Sequence, residues 1–311
     1  MKHSFDAKYN EKGIQNYFSR LKVVVSGTSF EFYEFDHPIF YGPKQKKSKE
    51  DNQPSFKLVM SEEEKATSSA RRAKSHIKRL IKTNAFNWFN EKDKPYLPIT
   101  LTLTFAEDIR DVKEANNLFS NFIQRLNYSV NLVERGWSKK EAKKNILKYT
   151  VVIEFQDKTR GGVVHYHVIF YNLPKMERIY DRLNDIWGKG FFWVGEKKKR
   201  GKNSTYVRDH KKLDKIIDYF IKYISKSFGD KRLWNKKTYF NSRGLIKPTV
   251  IVEENLVDMI FDEVPKEALQ FKADNLKYPY KAGERSFNYK KFDLADFPEE
   301  MNQALKLAKM Y

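Results

Sequence analysis

Two apolar segments joined by a short turn constrain the fold of this chain more than any other feature. Residues 149–155 (YTVVIEF) and 163–170 (VVHYHVIF) are apolar runs of the length expected for buried strands. The seven residues between them, QDKTRGG, end in two glycines and predict a turn. The economical interpretation is an antiparallel hairpin.

The segments around this hairpin alternate between strand and helix patterns. Residues 98–105 alternate threonine and leucine, which predicts a strand with one polar and one apolar face. Helices are predicted at about 111–133, 175–187 and 211–228, and a further strand at 190–195. This order predicts an α+β fold with a central, mainly antiparallel sheet of about five strands and flanking helices.

The regions outside this core differ in composition. Residues 1–60 contain short β-like pieces and a lysine-rich polar stretch at 44–55, which predict an ancillary region with a flexible connector. Residues 61–97 predict a basic helix that opens with a capping box at its first four residues. Residues 98–250 predict the core, and 251–311 form a C-terminal extension to which the sequence assigns no role.

The charge of the chain indicates a polyanionic partner. The 60 Lys+Arg residues against 40 Asp+Glu give a net charge of +20. An excess of this size is typical of proteins that bind nucleic acid, although a solvated lysine-rich surface gives the same count. In the basic helix the predicted phosphate contacts are Arg71, Arg72, Lys78 and Arg79, and a solvated surface helix is the alternative interpretation.

Several function classes are excluded by composition. The absence of cysteine excludes disulfides, zinc–thiolate sites and cysteine nucleophiles. There is no apolar run long enough to span a bilayer, and the first residues do not resemble a signal peptide, so we expect a soluble, cytoplasmic protein without a membrane partner. No phosphate-binding P-loop is present, so we expect no NTP-driven motor.

Two histidines lie one residue apart in the second strand of the hairpin. Side chains at i and i+2 point the same way, so His165 and His167 present two imidazoles side by side. If the turn is centred near Thr159-Arg160, Glu154 lies opposite or diagonal to His165. Two neutral imidazoles and a carboxylate suit Mg²⁺ or Mn²⁺, which polarise and orient a phosphate. A strand that shows two histidines to solvent is the alternative.

The helix at 211–228 carries two tyrosines on a face that the core does not need. Its apolar stripe consists of Leu213, Ile217, Phe220, Ile224 and Phe228. Tyr219, Tyr223 and Lys226 lie on a second stripe, and Lys222 is adjacent. Ammonium groups favour a phenolate and hold phosphate, so these residues suit a tyrosine that attacks a phosphodiester. Two tyrosines one turn apart suit two successive strand transfers, whereas exposed tyrosines without chemistry are the alternative.

Taken in order, these segments resemble the HUH endonucleases, and within them the two-tyrosine rolling-circle replication initiation proteins of bacterial phages and plasmids. The first matching motif is TLTLTF at 100–105, and the second is His165-Tyr166-His167. The third is Y-x-x-K-Y-x-x-K, matched by Tyr219, Lys222, Tyr223 and Lys226. The resemblance covers residues 100–226 and implies an RRM-like palm as the fold of the core.

The resemblance implies a metal-dependent, sequence- or hairpin-specific nick in single-stranded DNA at a replication origin. It implies a 5′-phosphotyrosine linkage and a free 3′-OH for a host polymerase, with a host helicase as a further partner in a bacterial cytoplasm. Tyr223 would be the first nucleophile, because relatives with one tyrosine keep that position, and Tyr219 would act in the second transfer. Lys226 and secondarily Lys222 would neutralise phosphate charge.

The remaining residues that the resemblance assigns concern the metal and the DNA. The acidic ligand of the family usually lies nearer to the first histidine than Glu154 does, so Gln156 and Asp157 stay open as alternatives. Thr102 and Thr104 would contact nucleic acid, and Arg243 in the polar turn 241-NSRG-244 would hold a phosphate.

Two other functions stay open at this point. A relaxase or transposase would use the same chemistry for a different task. A non-catalytic DNA-binding protein built on the same sheet would show salt-sensitive binding without a covalent adduct.

Overall fold

The computed structural model describes residues 8–9, 15–41, 62–136, 138–144, 146–195, 205–227, 230–233, 237–280 and 283–309. The chain divides into two compact units, one of residues 62–247 and one formed by residues 1–61 together with 248–311. The predicted capping box, the predicted connector at 44–55 and Phe228 lie outside the described residues.

The described residues form eleven strands, eight α-helices and three short helical segments. The strands are β1 (Lys8–Tyr9), β2 (Gln15–Ser26), β3 (Ser29–Tyr41), β4 (Ile99–Thr104), β5 (Tyr149–Gln156), β6 (Val163–Phe170), β7 (Phe192–Val194), β8 (Tyr239–Asn241), β9 (Thr249–Ile251), β10 (Leu269–Tyr280) and β11 (Gly283–Asp293). The α-helices are α1 (Glu62–Asn84), α2 (Val112–Tyr128), α3 (Lys139–Lys144), α4 (Asp157–Arg160), α5 (Ile179–Trp187), α6 (His210–Ser227), α7 (Glu254–Asp262) and α8 (Pro298–Ala308). Ser129–Glu134 is π-helical, and Lys231–Leu233 and Lys266–Ala268 are 3₁₀ turns.

The unit of residues 62–247 is built on a five-stranded sheet in the order β7-β4-β6-β5-β8, and every neighbouring pair is antiparallel. The predicted α+β fold with a mainly antiparallel sheet and flanking helices is therefore confirmed. The predicted hairpin is also confirmed, since β5 and β6 pair without a register shift from Tyr149–Phe170 to Gln156–Val163. Glu154 lies directly opposite His165, as one of the two predicted placements required.

Helices cover both faces of this sheet. On one face Tyr166 and Val168 of β6 belong to a core that includes Phe119 of α2 and Trp187 of α5. On the other face α1 and α6 supply the buried residues Ile77, Ile81, Ile217 and Phe220, which pack with Val152, Ile169 and Tyr171. Every residue of β6 is buried as a result, including both histidines.

The observed bounds differ from the predicted ones at three places. α5 begins at Ile179 rather than near 175, and β7 has three residues instead of the six predicted at 190–195. The turn of the hairpin contains the single helical turn α4. α1 packs against α6 and belongs to this unit, whereas the sequence treated residues 61–97 as a region preceding the core.

The other unit is a six-stranded sheet in the order β1-β2-β3-β11-β10, with β9 paired to β2. The β-like pieces predicted at 22–27 and 30–35 are parts of two long paired strands of 12 and 13 residues. α7 and α8 cover one face through a core that includes Phe30, Phe32 and Ile260. The segments 1–60 and 251–311, which the sequence treated separately, meet here because β3 pairs with β11. Among the described residues, no helix has the length and apolar character needed to cross a membrane.

Candidate active site

The site is built on three neighbouring strands whose side chains share one face of the five-stranded sheet. In the pairing of β4 with β6, Thr102 lies opposite His167 and Thr104 opposite His165. The Oγ1 atoms of these threonines lie 3.3 Å from His167 Nδ1 and His165 Nε2, respectively. Glu154 approaches from β5 on the other side. Because side chains alternate along a strand, this face carries all five groups in adjacent rows.

The two imidazoles are stacked and buried. Their ring centroids are 4.9 Å apart with an interplanar angle of 17°. Only 9% of His165 and 2% of His167 is exposed. Burial lowers the pKa of His165 to about 4, and it also lowers the pKa of His167. Both rings are therefore neutral near pH 7, which is the form that binds a cation through a ring nitrogen.

Glu154 connects the histidine pair to α6. Its Oε2 lies 2.9 Å from His167 Nε2, and its Oε1 accepts a hydrogen bond from Lys226 Nζ at 3.0 Å. Burial pushes the pKa of Glu154 upward, but the hydrogen bonds from His167 and Lys226 outweigh it, so the pKa is lowered. The pKa of Lys226 is raised, chiefly by its hydrogen bond to this carboxylate. The site therefore contains an ionised carboxylate held between an imidazole and an ammonium group.

Both tyrosines of α6 contact His167. The Tyr219 hydroxyl lies 3.0 Å from His167 Nδ1 and donates to it if Nε2 carries the proton that faces Glu154. The Tyr223 ring stacks on the same imidazole, with centroids 4.0 Å apart and an interplanar angle of 23°. The tyrosine rings are 4.6 Å apart and edge to face. The structure thus brings the helix tyrosines, the histidine pair and the carboxylate together.

The helix period explains this placement. The predicted apolar stripe of α6 is buried at Leu213, Ile217, Phe220 and Ile224. Residues one turn apart lie on the same side of a helix, so Tyr219 and Tyr223 form a neighbouring stripe beside the buried one. Tyr219 is 41% exposed although its hydroxyl contacts a buried histidine, so the ring lies at the mouth of the site.

One expectation about these tyrosines is wrong for Tyr219. The sequence led us to expect that neighbouring ammonium groups favour the phenolate. Burial instead raises the pKa of Tyr219, and the hydrogen bond and charge of Tyr223 add to the rise. The nearest ammonium group, Lys226, is bonded to Glu154 and lies 4.9 Å from the centroid of the Tyr223 ring, and Lys222 is exposed. In this state Tyr219 holds its proton.

The three candidates for the acidic ligand have different surroundings. Glu154 contacts His167 directly. Asp157 forms a two-point ion pair with Arg232, at 2.7 and 2.9 Å. Gln156 lies on the same face of β5 as Glu154, and its buried Oε1 has no hydrogen-bond partner. Glu154 is therefore the candidate that the fold places against the histidine pair.

The predicted DNA contacts are distributed more widely. Thr102 and Thr104 touch the histidines, as described above. Arg71 and Arg72 are exposed on α1, where Lys78 and Arg79 are partly exposed. Arg243 is exposed and follows Ser242, which bonds to the first residue of β5. That position is five residues from Glu154, or about 16 Å along the strand, so Arg243 does not belong to the cluster.

Two aromatic residues that the sequence analysis did not single out lie on the same face. In the pairing of β4 with β7, Trp193 lies opposite Thr102. Phe191 lies opposite Thr104, whose N–H donates to the Phe191 carbonyl at 2.8 Å. The Phe191 side chain is 75% exposed. The alternation of aromatic residues in 190-GFFWVG-195 was the available signal, and only the register placed them beside the histidines.

Gly190 permits this close approach of β7 to β4. Its φ of +142° is a conformation that other residues rarely adopt, and an added Cβ would overlap the Ala106 nitrogen and the Thr104 carbonyl oxygen. A glycine is therefore required where the chain enters β7.

The donor set fits a divalent cation in its chemistry. Two neutral imidazoles and an ionised carboxylate are ligands of the right type, and the buried Nδ1 of His165 has no hydrogen-bond partner. Within the described part of the chain, however, no group of three His, Asp or Glu side chains is already arranged to hold a metal ion. Both oxygens of Glu154 are held by His167 and Lys226, so binding requires a rearrangement of this carboxylate.

The region that holds this site also matches a known family. Residues 98–228 match the family model of the replication-associated protein ORF2. The matched region starts one residue before β4 and ends just beyond α6, so it spans the strands and the helix that form the cluster. It supports a role in DNA replication for this chain. Comparisons with curated proteins and with solved structures each found no match.

Proposed function

We propose that this chain nicks and rejoins single-stranded DNA through a tyrosine nucleophile, and thereby initiates rolling-circle replication. The observation that carries the proposal is the contact of both α6 tyrosines with His167, at 3.0 Å for the Tyr219 hydroxyl and 4.0 Å between rings for Tyr223. A sheet-bound imidazole pair beside a carboxylate has no evident structural need for two half-exposed phenols. A nicking and joining enzyme needs all of these groups.

The covalent step exchanges one phosphodiester for another. The tyrosine Oη forms a bond to the phosphorus, the bond from phosphorus to the 3′-oxygen breaks, and the phenol proton leaves while the 3′-oxygen gains one. His167 Nδ1 is placed to accept the proton of Tyr219. We propose Tyr223 as the first nucleophile, from the position it shares with single-tyrosine relatives, and Tyr219 as the second. The 3′-OH is then free for a host polymerase.

The other groups of the site bind and orient the phosphate. His165, His167 and Glu154 would hold Mg²⁺ or Mn²⁺, which when bound supplies charge that polarises the phosphate. Lys226 reaches the same carboxylate and, once released from it, can neutralise phosphate charge, with Lys222 one turn earlier on α6. Rejoining reverses the exchange, since the phosphotyrosine bond conserves the energy of the broken phosphodiester.

The DNA would cross the face of the sheet beside α6. Thr102 and Thr104 lie next to the histidines, and Phe191 and Trp193 extend the same rows to the edge strand β7. Exposed aromatic side chains stack on unpaired bases with little regard to sequence. We therefore propose that a single strand from the replication origin, or from a hairpin in it, stacks on Phe191. Host helicase would supply further single strand in the bacterial cytoplasm.

The test is a covalent adduct on a gel. Purified protein is mixed with Mn²⁺ or Mg²⁺ and a panel of labelled single-stranded oligonucleotides from the same replicon, and the linked product is resolved under denaturing conditions. We expect a linked product with the wild type, and loss of most of it with Tyr223→Phe. Tyr219→Phe should keep the first adduct and lose the rejoining of a second strand.

The matched controls separate chemistry from folding. Tyr180→Phe removes a phenol hydroxyl from a 42%-exposed tyrosine on α5 and should leave the adduct unchanged. A double Tyr219→Phe, Tyr223→Phe variant that still forms the adduct would contradict the proposal. Donor-end DNA cut in preference to origin DNA would favour a transposase or relaxase. Salt-sensitive binding without any adduct would indicate a non-catalytic DNA-binding protein.

A further inference from the structure

The sheet of the unit formed by 1–61 and 248–311 has one face covered by helices and one that is aromatic. The register aligns Lys22, Tyr33, Tyr289 and Ala273 in one row across four strands. The next row aligns Phe35, Phe287 and Leu276, all on the face opposite to the core residues Phe30 and Phe32. We define the aromatic face as the rings of Tyr33, Phe35, Phe271, Tyr278, Phe287 and Tyr289.

These rings form one continuous patch. Neighbouring centroids in the aromatic face are 5.0 to 6.3 Å apart, from Phe271 through Tyr289 and Tyr33 to Phe287, Phe35 and Tyr278. Phe271 is 54% exposed, the adjacent Leu276 is 38% exposed, and the other five rings are half-buried. Single exposed apolar side chains are ordinary, but a contiguous patch of this kind marks a binding surface.

The rims of the rings are fixed by hydrogen bonds. The hydroxyls of Tyr33 and Tyr289 both donate to Glu31 Oε2, at 3.1 and 3.0 Å. The Tyr278 hydroxyl lies 3.2 Å from His37 Nε2, and the other nitrogen of that ring lies 2.5 Å from Asp36. Because the polar edges are held, the flat faces of the rings keep a defined orientation, which lowers the entropic cost of stacking a ligand on them.

The charged groups on this face are mainly cationic. Lys22 Nζ lies 4.0 Å from the centroid of the Tyr33 ring and 5.2 Å from that of Phe35. Arg285 pairs with Tyr278, and Lys291 with Phe271, so a cation interrupts the aromatic rows at each side. The carboxylate of Glu31 is 9% exposed and accepts two hydroxyl groups. The surface therefore offers aromatic faces with positive charge around them.

We propose that the aromatic face binds single-stranded nucleic acid, with bases stacked on the rings and Lys22, Arg285 and Lys291 near the phosphates. Unpaired bases present the flat π faces that the rings fit, whereas bases in a duplex are already stacked on each other. A second copy of the chain fits the surface less well. A twofold contact would bring the same three cations against themselves, with the only carboxylate of these rows among the described residues buried.

The charge distribution gives this site a distinguishing property. Residues 62–247 contain 41 Lys+Arg and 21 Asp+Glu, which accounts for the whole net charge of +20, while the two flanking segments together contain 19 of each. Binding by 62–247 should therefore depend strongly on salt, whereas stacking on the aromatic face should persist when phosphates are screened. The proposal does not depend on whether the chain nicks DNA.

The experiment measures binding of the full-length chain to a labelled oligothymidine by fluorescence anisotropy at about 0.5 M salt, where phosphate contacts are screened. Phe271→Ala, Phe287→Ala and their combination should weaken binding by roughly tenfold for each ring lost. Phe287→Trp should restore it, and a duplex of the same length should not compete. Met259→Ala is the matched control, because it removes a 50%-exposed apolar side chain from α7 on the helix-covered side.

A second readout locates the bound strand. An oligonucleotide carrying 5-iododeoxyuridine should crosslink, on irradiation, to peptides containing the aromatic face. Phe271→Ala alone keeps the test decisive if the double variant does not fold, since that ring is more than half exposed. Unchanged high-salt binding with all crosslinks in 62–247 would overturn the proposal. A concentration-dependent dimer that Phe271→Ala abolishes would also overturn it and assign the face to a second copy. The adduct assay with Tyr223→Phe is independent of either result.

Discussion

The burial of His165 predicts a specific loss of stability in mild acid. The pKa of this histidine is about 4 in the folded protein against a value near 6.5 in an unfolded chain. Between these two values the unfolded state binds one more proton than the folded state, so stability falls as pH is lowered through this window. The slope is about 1.4 kcal/mol for each pH unit, which amounts to about 2 kcal/mol between pH 6.5 and 5.

The assay is urea unfolding of the chelator-treated protein from about pH 7 to about pH 5. This range lies above the ordinary pKa of 4.5 for Glu154, whose own lowered pKa makes its contribution disappear only in stronger acid. His165→Gln should flatten the dependence by about 2 kcal/mol at pH 5, and the residual slope should include His167, whose pKa is lowered in the same direction. His210→Gln, which removes a ring packed edge-on against Phe86, is the control. Parallel curves for His165→Gln and the wild type would refute the reasoning.

Three further predictions concern the path of the DNA and the frame of the site. Phe191→Ala, which truncates a 75%-exposed ring, should raise the KM for a short oligonucleotide roughly fivefold or more and leave kcat unchanged in steady-state nicking; a change in kcat alone would contradict a stacking role. Gly190→Ala should lower the free energy of unfolding by about 2–4 kcal/mol because the new Cβ overlaps the backbone of β4, whereas Gly136→Ala, with open space around it, should cost about 1 kcal/mol, and equal losses in urea unfolding would be against us. Arg71→Gln combined with Arg72→Gln should weaken DNA binding equally for all sequences and reduce the slope of log affinity against log salt by about 2, and an unchanged slope would remove this helix from the interface.

The core of the 62–247 unit was predictable because its signals are local. β5 and β6 are separated by only the short segment 157–162, so the turn fixed their register and placed Glu154 opposite His165. The 3.6-residue period of α6 separated its buried stripe from the two tyrosines. The β7 pairing was less accessible, since it joins residues about ninety positions apart in the chain. Phe191 and Trp193 were consequently missed.

The other unit shows why the rest was not predictable. Its sheet is completed by β3 and β11, whose paired residues lie more than 250 positions apart. The aromatic residues of β10 and β11 are interspersed with lysines and acidic residues, so neither strand shows the strict alternation that identifies a half-buried strand. A pairing at this distance depends on which edges are available after each hairpin forms, and no local pattern encodes it.

The sequence by itself determined the strand and helix periods, the spacing of the histidine and tyrosine motifs, and the excess of positive charge, because each of these is a property of neighbouring residues or of composition. The tertiary structure decided which groups meet and in which protonation state. It joined Asp157 to Arg232 across 75 positions and so left Glu154 to the histidines. It also raised the pKa of Tyr219, where lysine neighbours in the sequence indicated the reverse. Burial and contact depend on the packing of distant segments, and desolvation there outweighs the charge of sequence neighbours.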